Sequence, residues 1–256
     1  MTITDDTQRA TLVEAGKRLA AVLEALRGAA KPGVSTEALD DLAEKLIRDT
    51  GDTPAFLGYT PEGADRPYPA TLCVSINDEI VHGIPNESPK LLKPGDIVGL
   101  DLGLIHDGVI VDAAITVYVG GEPDAKTKNL LRATENALAA GIAAAVPGNH
   151  VGDIGAAIQK EIEGAGLTVV KPLGGHGVGT SVHEEPFIAN YGKPGEGEEL
   201  VSGMVLALEP ISNEGKGAVV LAPDGYTFRT KDGSRSAHFE HTILVTEGEP
   251  LVVTQV

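Results

Sequence analysis

The 256-residue chain has no tryptophan, one cysteine, two methionines, and only 20 basic side chains against 37 acidic ones. Each shortage excludes something. A single cysteine cannot close an intrachain disulfide, so Cys73 gives no sign of an oxidising compartment. A formal charge of −17, with no run of lysines and arginines, argues against a general nucleic-acid binder and against binding to an anionic membrane surface. The longest apolar run, residues 137–147, falls short of the ~20 residues a membrane span needs. The opening Met1-Thr2-Ile3-Thr4-Asp5-Asp6 lacks the basic end and apolar stretch of a secretory signal. The expectation is a soluble, cytoplasmic protein. A monomer is expected, because no long apolar exposed face stands out.

What remains is an ordinary globular composition, 42% hydrophobic and 22% charged, with 32 glycines for tight turns. Residues 7–30 read as a helix, with Leu12, Ala15, Leu19, Val22, Leu23 and Leu26 at helical spacing. Ser35-Thr36-Glu37 starts a second helix that Gly51 closes. Strands are expected at 71–76, 96–104 and 109–119, the last two joined by a turn at His106-Asp107-Gly108. Helices return at 125–146 and 151–164. Short strands follow at 168–171, 204–209, 218–222, 226–230 and 237–246.

The order helix, helix, strands thus occurs twice, at an offset of 115 residues. Pro32-Gly33 falls on Pro147-Gly148, Leu39 on Ile154, Ala43 on Ile158 and Gly51 on Gly166. Two amphipathic helices after a Pro-Gly can match by coincidence, but Ala29-Ala30 also falls on Ala144-Ala145. The expectation is a single α/β domain over 1–256. Its pseudo-twofold halves are about 1–120 and 121–256, and a site is expected where they meet.

Four acids sit in unusual company. Asp101 lies in Ile97-Val98-Gly99-Leu100-Asp101-Leu102, and Asp112 in Val109-Ile110-Val111-Asp112-Ala113. Glu209 ends Val205-Leu206-Ala207-Leu208-Glu209, and Glu240 precedes His241-Thr242-Ile243-Leu244. A buried, unpaired carboxylate is costly and needs a cation, a hydrogen-bond cluster or a raised pKa. With a two-residue turn, Asp101 pairs with Ala114, and Asp112 lies on the same face at about 7–8 Å. A bulge or a longer loop would instead bring the two acids opposite one another, at about 5 Å. An exposed hairpin face with solvated acids is the competing reading, and the flanking Val, Ile and Leu disfavour it.

His176 lies in Gly174-Gly175-His176-Gly177-Val178-Gly179, and His183 follows seven residues later. The segment 180–190 carries Pro186 and has no helical period, which excludes a dinucleotide-binding loop. Phe187 stands where a zinc-protease helix would place its second histidine. Two aspartates, two glutamates and a histidine make an oxygen-rich set. Such a set suits two divalent ions (Mn, Fe, Co or Zn) roughly 3.5–4 Å apart and hydrolysis of an amide or phosphate ester.

These segments, with Cys73-Val74-Ser75-Ile76-Asn77, His82-Gly83-Ile84-Pro85 and Ser236-Ala237-His238-Phe239-Glu240-His241-Thr242, resemble the type I methionine aminopeptidases of the pita-bread fold over essentially the whole chain. The resemblance implies a cytosolic aminopeptidase that removes N-terminal methionine from peptides and nascent chains, preferring a small second residue and meeting the ribosome in passing. It implies five metal ligands, Asp101, Asp112, His176, Glu209 and Glu240, with Asp112 and Glu240 bridging. Glu209 would also accept the proton of the attacking water. His82 and His183 would contact the substrate amide and carbonyl. Tyr68 and Cys73 match the methionine pocket, as do Tyr226 and, less closely, Tyr59 and Phe56.

The chain departs from the family in four places. Residues 60–67 form an added acidic loop. His238 replaces a usual glutamine, Tyr226 a frequent tryptophan, and Val182 a bulkier aromatic. His106 and His150 read as surface turn residues, and His241 as facing away from Glu240. Two rivals remain: an Xaa-Pro peptidase of the same fold, and a non-catalytic binding protein that would have lost ligands.

Overall fold

The fold is described from a computed structural model covering residues 1–255. Helices α1 (Asp6–Ala29) and α2 (Thr36–Asp49) precede β1 (Thr53–Pro54), β2 (Cys73–Ile76), β3 (Glu79–Val81), β4 (Ile97–His106) and β5 (Val109–Tyr118). Helices α3 (Ala125–Ala144) and α4 (Val151–Gly164) follow. After them come β6 (Thr168–Val169), β7 (Gly174–Gly177), β8 (Glu184–Ala189), β9 (Val205–Leu208) and β10 (Ile211–Asn213). The chain continues through β11 (Val219–Leu221), β12 (Phe228–Thr230), β13 (Ser236–His238), β14 (Glu240–Leu244) and β15 (Leu251–Val252).

The helices begin where side chains satisfy their free N–H groups. Asp5 accepts from the Gln8 amide at 2.9 Å, Ser35 from Ala38 at 3.1 Å, and Asp124 from Thr127 at 2.8 Å. The apolar stripe of α1 is buried, from Leu12 through Leu26, and packs on β4 and β5. No helix among the described residues is long and apolar enough to cross a membrane.

A nine-stranded sheet runs β1-β4-β5-β14-β9-β7-β8, with β2 also on β4 and β15 on β14. Two three-stranded sheets, β13-β10-β6 and β11-β12-β3, flank it. The β4–β5 hairpin keeps unbroken register from Ile97↔Tyr118 to His106↔Val109. Asp107 (φ 47°) and Gly108 (φ 81°) both take left-handed conformations, as a tight two-residue hairpin turn requires. Asp101 is therefore opposite Ala114, and Asp112 opposite Gly103. Of the two registers the sequence leaves open, the diagonal one holds.

The expected strand at 237–246 is two strands. At Phe239 the chain changes partners: Ser236–His238 pairs with β10, and from Glu240 onward the backbone pairs with β5 and β9. Strands β7 and β8 carry almost no strand signature, since one is glycine with a single histidine and the other contains Pro186. The strand expected at 168–171 shrinks to two residues.

The C-terminal segment lies directly on α1, where a Cβ at Gly16 would overlap the Val253 carbonyl. Gly16→Val is expected to lower stability by about 1–3 kcal/mol through overpacking, read as a reduced thermal midpoint. An unchanged midpoint would show that this contact does not constrain the fold.

Candidate metal centre

Five neighbouring strands deliver the site. Asp101 projects from β4, Asp112 from β5 and Glu240 from β14; Glu209 follows the end of β9, and His176 sits in β7. All five candidate ligands line one cavity, together with His82, His183 and the apolar side chains discussed below. No lysine or arginine lines it.

Each donor is held by its own backbone setting. The Asp112 amide donates to Thr242 Oγ1 (2.9 Å), whose hydroxyl donates to the Asp112 carbonyl (2.7 Å), tying β5 to β14 beside the acid. His176 is framed by glycines of necessity: a Cβ at Gly175 would strike the Ala207 carbonyl, and one at Gly177 the Glu185 carbonyl. His176 Nδ1 donates to the Gly177 carbonyl at 2.9 Å. A carbonyl only accepts, so in the neutral ring the Nε2 lone pair is left free, 3.8 Å from Glu209 Oε1.

The electrostatics are those of acids crowded without counter-charges. Burial raises Asp101, and the neighbouring Asp112 carboxylate raises it further. Asp112 is pushed up to about 7 by burial, against a lowering backbone hydrogen bond. Glu209 and Glu240 are raised by burial and then by the other acids of the cluster. The imidazoles shift the opposite way. Burial, then His183, takes His176 down to about 4, and burial takes His238 to about 3.

Two ligand triads emerge, each with donor atoms within 4.8 Å: Asp112, His176 and Glu240; and Asp101, His238 and Glu240. Asp112 Oδ1, Glu240 Oε1 and His238 Nε2 are buried without a hydrogen-bond partner. Unpaired buried acceptors grouped this way are the donor set a divalent cation satisfies. The residues fit a metal.

A model of metallopeptidase family M24 matches residues 10–247. The chain belongs to metallopeptidase family M24. It is 46% identical to a methionine aminopeptidase of Aquifex aeolicus over 94% of both chains. It is 45% identical to methionine aminopeptidase 1 of Mycobacterium tuberculosis, over 95% of this chain and 91% of that one. Its fold superposes on a crystal structure of a Thermotoga maritima methionine aminopeptidase with TM-score 0.94 and 40% identity, covering all of both chains. The M24 assignment makes this chain a metallopeptidase, and the mixed α/β architecture around a central antiparallel sheet is that of its pita-bread relatives.

In this M24 chain His82 follows β3 with a left-handed backbone (φ 58°), a strained conformation for a non-glycine residue. Burial and then His183 lower its pKa to about 4. His183 stands at the cavity mouth with an edge open to solvent, yet enough of its ring is enclosed that burial lowers its pKa. Glu184 draws up the turn beneath it, accepting from the amides of Thr180 (2.6 Å) and Ser181 (2.8 Å).

The apolar wall contains Phe56, Tyr59, Tyr68, Cys73, Val182 and Tyr226, and Pro61 from the added loop. Tyr68 meets Tyr226 edge-on, ring centroids 5.1 Å apart, and its hydroxyl donates to the Gly83 carbonyl at 3.0 Å. Burial, then Asp101, raises the Cys73 thiol, so it stays protonated as a small soft surface. Tyr59 Oη lies 3.0 Å from His183 Nδ1, a contact that sequence reasoning missed. The loop does not displace Tyr59. Tyr68 N–H donates to the Tyr59 carbonyl (2.8 Å) and Gly58 N–H to the Tyr68 carbonyl (2.9 Å), closing the excursion at its base. Arg66 ties it outward to Glu87 and to the Asp224 carbonyl.

His106 is a correction. It is not a surface turn residue, since its Nδ1 bonds the buried Asp52 carboxylate at 2.8 Å. His150 precedes α4, and His241 turns from the cavity to Thr254. His238 is the cluster member that sequence reasoning left as a polar neighbour. The available signal was its position two residues before Glu240, on the same face of an extended chain. A larger cleft between α1 and α3 is lined mainly by apolar side chains, with the exposed Glu24, Glu135 and Glu249 set beside Arg27.

The raised acids set a pH dependence. A carboxyl held near 7 keeps its proton below that pH, and a divalent ion must displace it. Binding at about pH 6 is therefore expected to release protons, with affinity rising toward about pH 8. Calorimetry in buffers of different ionisation enthalpy reads both, and pH-independent affinity without proton release would contradict the assignment.

Proposed function

We propose that this protein is a methionine aminopeptidase that hydrolyses the peptide bond after an N-terminal methionine, on peptides and nascent chains in the cytoplasm, with preference for a small second residue. The reading is carried by one observation: a strand-borne cluster of four carboxylates and His176 opens onto an apolar cavity walled by Tyr68, Cys73 and Tyr226. That cavity accepts an unbranched thioether side chain and places the following amide beside the acids. Similarity to methionine aminopeptidases above 40% identity favours this reading over an Xaa-Pro peptidase. Retention of every ligand disfavours a binding protein that has lost its chemistry.

Asp101, Asp112, His176, Glu209 and Glu240 would hold two divalent ions, with Asp112 and Glu240 shared. When bound, the metal supplies a water of lowered pKa and polarises the scissile carbonyl. Glu209, a carboxyl lining the cavity, takes the proton from the attacking water and passes it to the departing amide nitrogen. If Tyr59 donates its hydroxyl proton to His183 Nδ1, the neutral ring carries its own proton on Nε2 and donates it to the developing oxyanion. His82, neutral at pH 7, contacts the amide nitrogen. We read 1–256 as one domain whose halves, about 1–120 and 121–256, meet here. The first supplies Asp101 and Asp112, and the second His176, Glu209 and Glu240.

Glu209→Gln is expected to slow methionine release from Met-Ala-Ser by roughly 10²–10⁴-fold. His176→Ala should abolish release even after metal is replenished. Chromatographic assay of free methionine tests both, with Ala-Pro-Ser as comparison. Full activity in either variant, or faster cleavage of the Xaa-Pro peptide by the unaltered enzyme, would overturn the reading.

A further inference from the structure

We propose that His238 is itself a metal ligand, its Nε2 completing the position formed with Asp101 and Glu240, so that each end of the centre carries one imidazole. The inference rests on the cluster being a metal centre. The two triads share Glu240 and are chemically alike: one aspartate and one histidine each, Asp112 with His176 and Asp101 with His238.

Four observations carry it. His238 is buried, at 3% exposure, and its Nε2 has no hydrogen-bond partner. That atom lies 3.5 Å from Glu209 Oε2 and 3.7 Å from Glu240 Oε2, distances long for hydrogen bonds and suited to donors around a common ion. The backbone is clamped, with the His238 amide donating to Thr116 Oγ1 (3.0 Å) and that hydroxyl donating to the His238 carbonyl (2.6 Å). Finally, His238 and Glu240 are two apart in extended chain, and the change of strand partner at Phe239 holds both at the seam between two sheets. A buried ring on a clamped backbone, with a free nitrogen facing acids, is placed to donate that nitrogen to an ion. Because imidazole suits zinc, cobalt and iron better than manganese, a second one shifts the centre away from manganese.

X-ray absorption at the zinc edge of the zinc-loaded protein counts imidazoles per chain, as metals bound times imidazoles per metal. Two are expected, falling to one in His238→Gln and staying at two in His183→Gln. Calorimetry on His238→Gln should show zinc affinity lowered by about tenfold or more, with manganese affinity less affected. One imidazole per chain in the unaltered protein overturns the proposal while leaving the metal centre intact, and this count needs no variant to fold. Loss of the second imidazole in His183→Gln in place of His238→Gln overturns it equally, as does a His238→Gln protein with unchanged count and affinity. Absence of saturable divalent binding would overturn the metal centre and the proposal together.

Discussion

Four carboxylates enclosed without a lysine or arginine are the constraint on which the rest of the structure depends. In water each would be ionised; here burial pushes every one toward its neutral form, and neighbouring acids add to that push for Asp101, Glu209 and Glu240. Such a cluster opposes folding unless protons or a cation compensate, and the protein spends no side chain on an internal counter-ion. The site is therefore unfinished by design, and its completion must come from outside the chain. The neutral histidines around it belong to the same economy, since they add donor atoms without adding charge.

The rigidity of the site comes from its placement across strands. Side chains on four strands of one sheet, with Glu209 immediately after a fifth, are fixed relative to one another by the sheet ladder itself. Loops instead carry the groups proposed to meet substrate. His82 and His183 both stand just beyond a strand end, and Tyr59 lies before the loop that returns to Tyr68. Candidate metal donors on or beside strands and proposed substrate contacts on loops would divide the work between what must stay still and what must admit a ligand.

Much of this was legible in the sequence because burying charge leaves a loud signal. Asp101 and Asp112 inside Val, Ile and Leu could be placed on one face of a hairpin, but whether they lie diagonal or opposite stayed open until the tight Asp107-Gly108 turn fixed the register. The helices were legible for the same reason in reverse, their apolar stripes recurring at a clean period. Strand β7 was not, because glycines chosen for close approach to the Ala207 and Glu185 carbonyls erase the strand pattern, and β8 was not, because it carries Pro186. The break at Phe239 escaped notice too, since a change of pairing partner leaves side-chain alternation untouched. His106 was misjudged because its partner, Asp52, is 54 residues away in sequence.

The closed base of the 60–67 loop separates two properties that are usually linked. With Tyr59 and Tyr68 bonded backbone to backbone, the tip can change length while the cavity wall stays where it is. The entropic cost of lengthening such a closed excursion is small, about 0.6 kcal/mol per doubling. The rim near Pro61 can thus change shape without moving the cavity wall behind it.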